Sequence, residues 1–208
     1  MSITTYATLK TEIADELNRS DLTASVSGFV QRCENRLRRD PRARRLQDRT
    51  LVVSADDTSL PSDYQSLDSL AHEGGTHFGP LFVVSMDEIT YQRGRLNLGT
   101  TGVPRYAAVL QGKLRFAPVP DQSYTLRMSY WLKIEPLSDT NTTNWLLLDS
   151  PDIYFYGSLL ESAPYLKHDE RLVTWKTEYN ERLEELHGAT VNAQYGGGTV
   201  RRHFKAIG

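Results

Sequence analysis

The 208-residue chain sets 24 lysines and arginines against 26 aspartates and glutamates, a formal net charge of −2. That balance excludes a generally basic protein that coats nucleic acid, and the 39% hydrophobic content is ordinary for a folded globular protein. A single cysteine, Cys33, rules out an intrachain disulfide and a thiolate metal cluster. No run approaches the roughly 20 apolar residues of a membrane span, and MSITTYATLK has no apolar h-region, so the expectation is cytoplasmic assembly without a signal peptide or membrane partner.

Thr4 or Thr5 can cap a first helix whose stripe is Tyr6, Leu9, Ile13 and Leu17. Asn18-Arg19-Ser20-Asp21 is turn chemistry. Thr23 or Ser25 can cap a second helix with Val26, Phe29, Val30, Cys33 and Leu37 inside. Gln31, Arg32, Glu34, Asn35, Arg38 and Arg39 fall on its solvated face. The short connection predicts an antiparallel hairpin ended by Asp40-Pro41.

The helical period then disappears from Thr50 to about Ile134. Thr50–Val53, Leu67–His72 and Leu81–Val84 read as strands, and Ser85–Ile89 as one helical turn. Tyr106–Leu110 and Lys113–Phe116 flank Gln111-Gly112, a two-residue hairpin turn. Tyr124, Leu126, Met128, Tyr130 and Leu132 alternate with polar neighbours, the clearest strand in the chain. One mostly antiparallel sheet of four to six strands is expected.

A second helical pair follows. Asp149 or Ser150 caps a helix that begins at Pro151 and carries the stripe Ile153, Tyr156, Leu160 and Ala163, ended or kinked by Pro164. His168 or Asp169 caps another, with Leu172, Trp175, Tyr179, Leu183 and Leu186 inside and Gly188 placed to stop it. Beyond it, Gly196-Gly197-Gly198 is a joint before the basic, strand-compatible Thr199–Ile207. The predicted class is α+β, an antiparallel bundle of N- and C-terminal helices with an inserted, mainly antiparallel β-domain and an extended C-terminal arm. Its segments are 1–49, 50–136, 137–188 and 189–208.

The residues offer little chemistry. His72, His77, His168, His187 and His203 make no metal-ligand pair of helical spacing, although His72 and His77 share a Gly-rich loop. There is no G-x-S-x-G elbow and no P-loop. Cys33 lies on an apolar stripe, where a small buried hydrophobe is expected rather than a nucleophile. No catalytic residue, metal site or cofactor is predicted. The strongest polar feature is the run Arg36, Arg38, Arg39, Arg42, Arg44, Arg45 and Arg49. It suits phosphate, or ion pairs between copies. It lacks the interleaved aromatics of a single-strand binder. The acidic face Glu178, Glu181 and Glu185 is a natural complement for Arg36, Arg38, Arg39 and Arg42 of a neighbouring copy.

Several blocks, in order, resemble tailed-phage head–tail adaptors of the podovirus tail tubular protein A type and related head-completion connectors. They are Tyr6–Lys10 to Asn18–Thr23, Gly102–Tyr106 to Pro118–Asp121, Leu137-Ser138-Asp139, Thr143–Leu147, Pro151-Asp152, Tyr156–Leu166 and Asp169-Glu170-Arg171. The resemblance implies a structural virion protein at the head–tail junction. It would form a ring, commonly of twelve copies, beneath the portal. That ring would hold tail or neck proteins and extend the channel through which genomic DNA passes without specific binding. It also implies an arm that reaches the portal, here Thr199, Val200, Arg201, Arg202, His203, Phe204, Lys205, Ala206 and Ile207. The residues also leave that arm able to add as a strand to another chain's sheet edge. The alternative function is a nucleic-acid-binding packaging accessory protein that uses Arg36–Arg49.

Overall fold

A computed structural model describes residues 3–74, 77–95, 101–166 and 169–195. The helices are α1 (Tyr6–Leu17), α2 (Val26–Leu37), α3 (Met86–Arg95), α4 (Trp145–Asp149), α5 (Pro151–Glu161) and α6 (Arg171–Tyr195). The strands are β1 (Leu46–Val53), β2 (Thr58–Ser59), β3 (Tyr64–His72), β4 (Gly79–Pro80), β5 (Phe82–Val83), β6 (Tyr106–Leu110), β7 (Lys113–Ala117) and β8 (Tyr124–Leu132). The class is α+β. The described residues within Met1–Arg44 and Ile134–Gly208 form one compact unit, and those within Arg45–Lys133 form another.

The first unit is helical. Thr5 caps α1: its hydroxyl accepts from Thr8 N at 3.2 Å, and the Thr8 hydroxyl accepts from Thr5 N at 3.0 Å. Asn18 closes the helix in the left-handed region, its N–H donating to Ala14 O and Asp15 O. The expected side-chain cap of α2 is absent. A 3₁₀ turn over Ser20–Ser25 runs straight into it, and Ser25, with φ −90° and ψ −12°, lacks the extended backbone a capping hydroxyl needs. A short helix, α4, precedes α5 where no element was expected; Asn144 caps it through Leu147 N at 2.9 Å.

α5 corrects the single-stripe reading. Ile153, Tyr154, Phe155, Gly157, Ser158 and Leu159 are buried, while Tyr156 and Leu160 are half-buried. The helix packs against α1, α2, α4 and α6, so burial extends around most of it rather than along one stripe. Gly157 permits the closest approach. A Cβ there would lie 2.5 Å from Cys33 Sγ and 2.9 Å from the Tyr179 ring. The core joins Leu9, Ile13, Phe29, Cys33, Leu146, Tyr154, Leu159, Trp175 and Leu183, drawn from both ends of the chain.

α6 does not stop at Gly188 but continues to Tyr195. A helical glycine costs only about 1 kcal/mol relative to alanine. Beyond it, Thr190 Oγ1 donates to Arg44 O at 2.8 Å and stays within 3.0 Å of Leu186 O. The predicted cap His168, the joint Gly196–Gly198 and the arm Thr199–Ile207 lie outside the described residues.

The second unit holds two four-stranded sheets, not one, in the orders β1-β8-β3-β4 and β2-β7-β6-β5. The pairings are antiparallel except β5 with β6, which is parallel. One extended segment serves both sheets: Gly79–Pro80 pairs with β3, and Phe82–Val83 with β6. β8 alternates as expected, burying Tyr124, Leu126, Met128, Tyr130 and Leu132. Gln111 and Gly112 take φ of 49° and 74°, the twist a two-residue hairpin requires. β1 begins at Leu46, four residues before the expected start. α3 runs ten residues where one turn was expected, with Ile89 packed on Ala108 and Ala117.

Candidate assembly surfaces

Within the helical unit, Glu34 was assigned to the solvated face of α2. It is only 2% exposed. Its carboxylate accepts from Leu137 N at 2.7 Å and from Tyr154 OH at 3.3 Å. Asn144 Nδ2 lies 2.7 Å from Tyr154 OH and donates to Glu135 O at 2.7 Å. Asn141 holds Pro136 O, and Tyr6 N donates to Thr142 O at 2.7 Å. The segment from Ile134 to Asn144 is thus pinned to α1, α2 and α5 by buried polar contacts. Burial is the main force raising the Glu34 pKa, partly offset by the Leu137 N–H, Arg38 and the Tyr154 hydroxyl. No sequence signal marked this network, because its partners stand more than a hundred positions from Glu34.

Several arginines of the run have intrachain partners. Arg36 reaches Glu161 at 2.5 Å, with Arg32 3.7 Å from the same carboxylate. Arg38 Nε donates to Ile134 O at 3.3 Å. Arg42 holds Asp40 at 2.8 Å and Glu184 at 2.9 Å. The Arg42 guanidinium, through hydrogen bonds to Asp40, depresses that carboxyl's pKa. Arg39 is exposed. Arg45 and Arg49 belong to the β unit, where Arg49 is exposed.

The acidic face of α6 carries its own counter-ion. Arg182 lies 3.3 Å from Glu178, 3.1 Å from Glu185 and 3.9 Å from Asp152, the first two at ordinary helical spacing. Glu181 is exposed. Of the seven residues expected to pair between copies, Arg36, Arg38, Arg42, Glu178 and Glu185 therefore have intrachain partners.

Cys33 is fully buried and its thiol is pushed up to about 12, chiefly by burial. The His72 and His77 rings are tilted to one another, with centroids 6.2 Å apart, and both meet the Tyr124 ring edge-on. His72 Nε2 is also 2.8 Å from Pro104 O. Among the described residues, no group of three or more His, Cys, Asp or Glu side chains is placed to hold a metal ion. No described helix is long and apolar enough to cross a membrane. Two open grooves flank the helices. One, of about 450 Å³, is lined by Tyr6, Ser27, Gln31, Glu34 and Arg38; the other, of about 390 Å³, by Asp149, Asp152, Arg182 and Glu185. Both are open and carry charged side chains, unlike the enclosed, mostly apolar pockets that take small molecules.

Among the described residues, the exposed large apolar side chains fall mostly on the β unit. They are Val52, Phe78, Phe82, Val83, Tyr91 and Leu110, against Leu148, Tyr165 and Val173 on the helical unit. No curated protein matches the chain. The family model described as SU10 adaptor protein matches residues 4–202, taking in both units. The chain belongs to the SU10 adaptor protein family and is a structural phage adaptor.

Proposed function

We propose that the protein forms a ring beneath the portal, links the capsid to the tail, and prolongs the DNA channel. The observation that carries this reading is the family match over residues 4–202, which spans the helical unit and the β unit alike. The resemblance to tail tubular protein A-like connectors supplies the finer detail: about twelve copies, a tail or neck protein below, and a location at the head–tail junction. In this reading the helices of the first unit act as an antiparallel bundle, and the arm Thr199–Ile207 makes an inter-chain contact for which the resemblance names the portal. Exposed Arg39 and Glu181 are the members of the expected ion-pair set best placed to meet a neighbour. Arg36, Arg38, Arg42, Glu178 and Glu185 can join them only by exchanging their intrachain partners.

The test is electron microscopy of the purified chain mixed with a portal. Rings stacked on portals are expected; portals left bare overturn the reading. Reversing charge at Arg38 and Arg42 probes the ion pairs, and rings that assemble normally would refute them. The dispersal of the arginines among intrachain partners weighs against the nucleic-acid alternative. A mobility shift that weakens steeply with salt would favour it nonetheless.

A further inference from the structure

The two edges of the β1-β8-β3-β4 sheet are built differently. On the far side, β4 covers the end of β3 by pairing with Ala71 and His72, and Leu81 N donates to Leu70 O at 2.8 Å. The rest of β3 carries register shifts between Tyr64 and Ser66 and between Leu67 and Ser69, and Pro80 stands in β4. Short strands, bulges and proline are the usual devices that keep an edge from pairing further. β1 has none of them. Its register with β8 is continuous over eight residues, it contains no proline, and among the described residues β8 is its sole neighbour.

The direction of its backbone groups follows from one bond. Leu132 N donates to Arg45 O at 2.9 Å, so the Arg45 backbone faces β8. Alternation then turns Gln47, Arg49, Leu51 and Val53 toward β8 and leaves the N–H and C=O of Leu46, Asp48, Thr50 and Val52 pointing away, the Asp48 C=O accepting from the Gln47 side chain at 2.9 Å. Beside these groups Val52 is 66% exposed. Arg49, opposite Met128, is an exposed charge on the face of the strand that β8 buries. The Thr50–Val53 end has no such guard.

One strand-compatible stretch of the sequence lies outside the described residues. It is Thr199–Ile207, nine residues without glycine or proline, separated by Gly196-Gly197-Gly198 from the last described residue, Tyr195. Its length matches the eight-residue edge. Three consecutive glycines are the composition of a tether.

We infer that the outward edge of β1 receives Thr199–Ile207 of a neighbouring copy as an added strand. Arm and edge are then donor and receiver on one chain. Repeated in one direction, that contact is head-to-tail, the kind of interface from which a ring is built. The inference rests on the adaptor reading and gives the arm a receiver inside the ring in place of the portal.

The test uses the full chain, alone and assembled on a portal, with amide hydrogen exchange as the readout. In assemblies, the outward amides of Asp48, Thr50 and Val52 should exchange at least roughly tenfold more slowly than in the free chain. Val52→Pro removes one outward N–H and spares the β8 ladder, so it should abolish or weaken assembly while thermal unfolding stays near wild type. Val52→Thr, which keeps the N–H and the β-branch, should assemble normally. If Val52→Pro misfolds, deletion of residues 196–208 carries the test by erasing the protection of Asp48 and Thr50. Assemblies whose outward β1 amides exchange freely overturn the inference while the adaptor reading stands. Protection that survives the arm deletion overturns the choice of occupant. Failure to assemble at all, with or without portal, overturns both.

Discussion

The helical unit and the β unit solve the burial problem in opposite ways. The helical unit closes on itself: Phe29, Cys33, Tyr154, Leu159 and Leu183 are sealed, and a buried glutamate is satisfied by a backbone amide and a tyrosine. The β unit stays open. It carries most of the exposed large apolar side chains among the described residues, and it ties α3 down with ions at its surface, where Arg93 and Arg115 share Asp56 and Arg93 also holds Phe116 O. The difference teaches where each unit spends its interactions. One buries its bulky apolar side chains, and the other leaves several of them at its surface.

That contrast breaks most readily at Phe29, which is fully buried. Phe29→Ala should lower the stability of the helical unit by about 3–5 kcal/mol, measured by denaturant unfolding with hydrogen exchange to show which unit responds. Gly157→Ala comes next. The new methyl meets Cys33 Sγ and the Tyr179 ring, so a loss of about 1–3 kcal/mol is expected from overpacking. If Gly157→Ala is neutral in chemical denaturation, the close packing of α2, α5 and α6 is not what holds the unit.

Glu34 sharpens the comparison through pH. Burial raises its pKa above the ordinary glutamate value, so the native state holds its proton more tightly than the unfolded chain. The stability associated with the neutral carboxyl is complete below that value and is lost as pH rises through the raised one. Glu34→Gln keeps an acceptor for Leu137 N but cannot ionise. Its stability relative to wild type should therefore climb as pH is raised from about 4 toward 7, followed by thermal unfolding at each pH. Glu34→Leu instead leaves the Leu137 amide and the Tyr154 hydroxyl without their acceptor, at a loss of about 1–3 kcal/mol. A flat difference between Glu34→Gln and wild type across that range would deny the buried carboxylate its role. The smallest effect belongs to the β unit: Asp56→Asn, at a partly exposed ion cluster, should cost about 0.2–1 kcal/mol and lessen in high salt.

Much of the fold was legible because it is periodic. The stripe of α1 and the alternation of β8 each state which face is inside, and both faces are as read. What escaped is what periodicity does not encode. Glu34 reads as a surface residue until Leu137 and Tyr154 are folded onto it. α5 shows no single stripe because it has neighbours on most sides. Gly188 looks like a terminator, but the anchor that carries the helix past it, Arg44 O, is remote in sequence. The candidate surfaces were less legible still. Charge alone suggested arginines facing a neighbour, yet Glu161, Asp40 and Glu184 meet several of them within the chain. The open edge of β1 is invisible without knowing that the sheet ends there.

The bond from Leu132 N to Arg45 O has one more consequence. It sets the first and last strands of the β unit side by side, so the chain enters and leaves that unit through neighbouring points. A segment with adjacent ends behaves like a cassette. It can be exchanged for one of another length or shape while the helical unit, from Arg44 to Ile134, needs only a short bridge to close. Loop-closure entropy grows slowly with length, about 0.6 kcal/mol per doubling, so that exchange leaves the helical core nearly indifferent to the size of what it carries. An adaptor built this way can acquire a new face for a new partner without relearning how to fold.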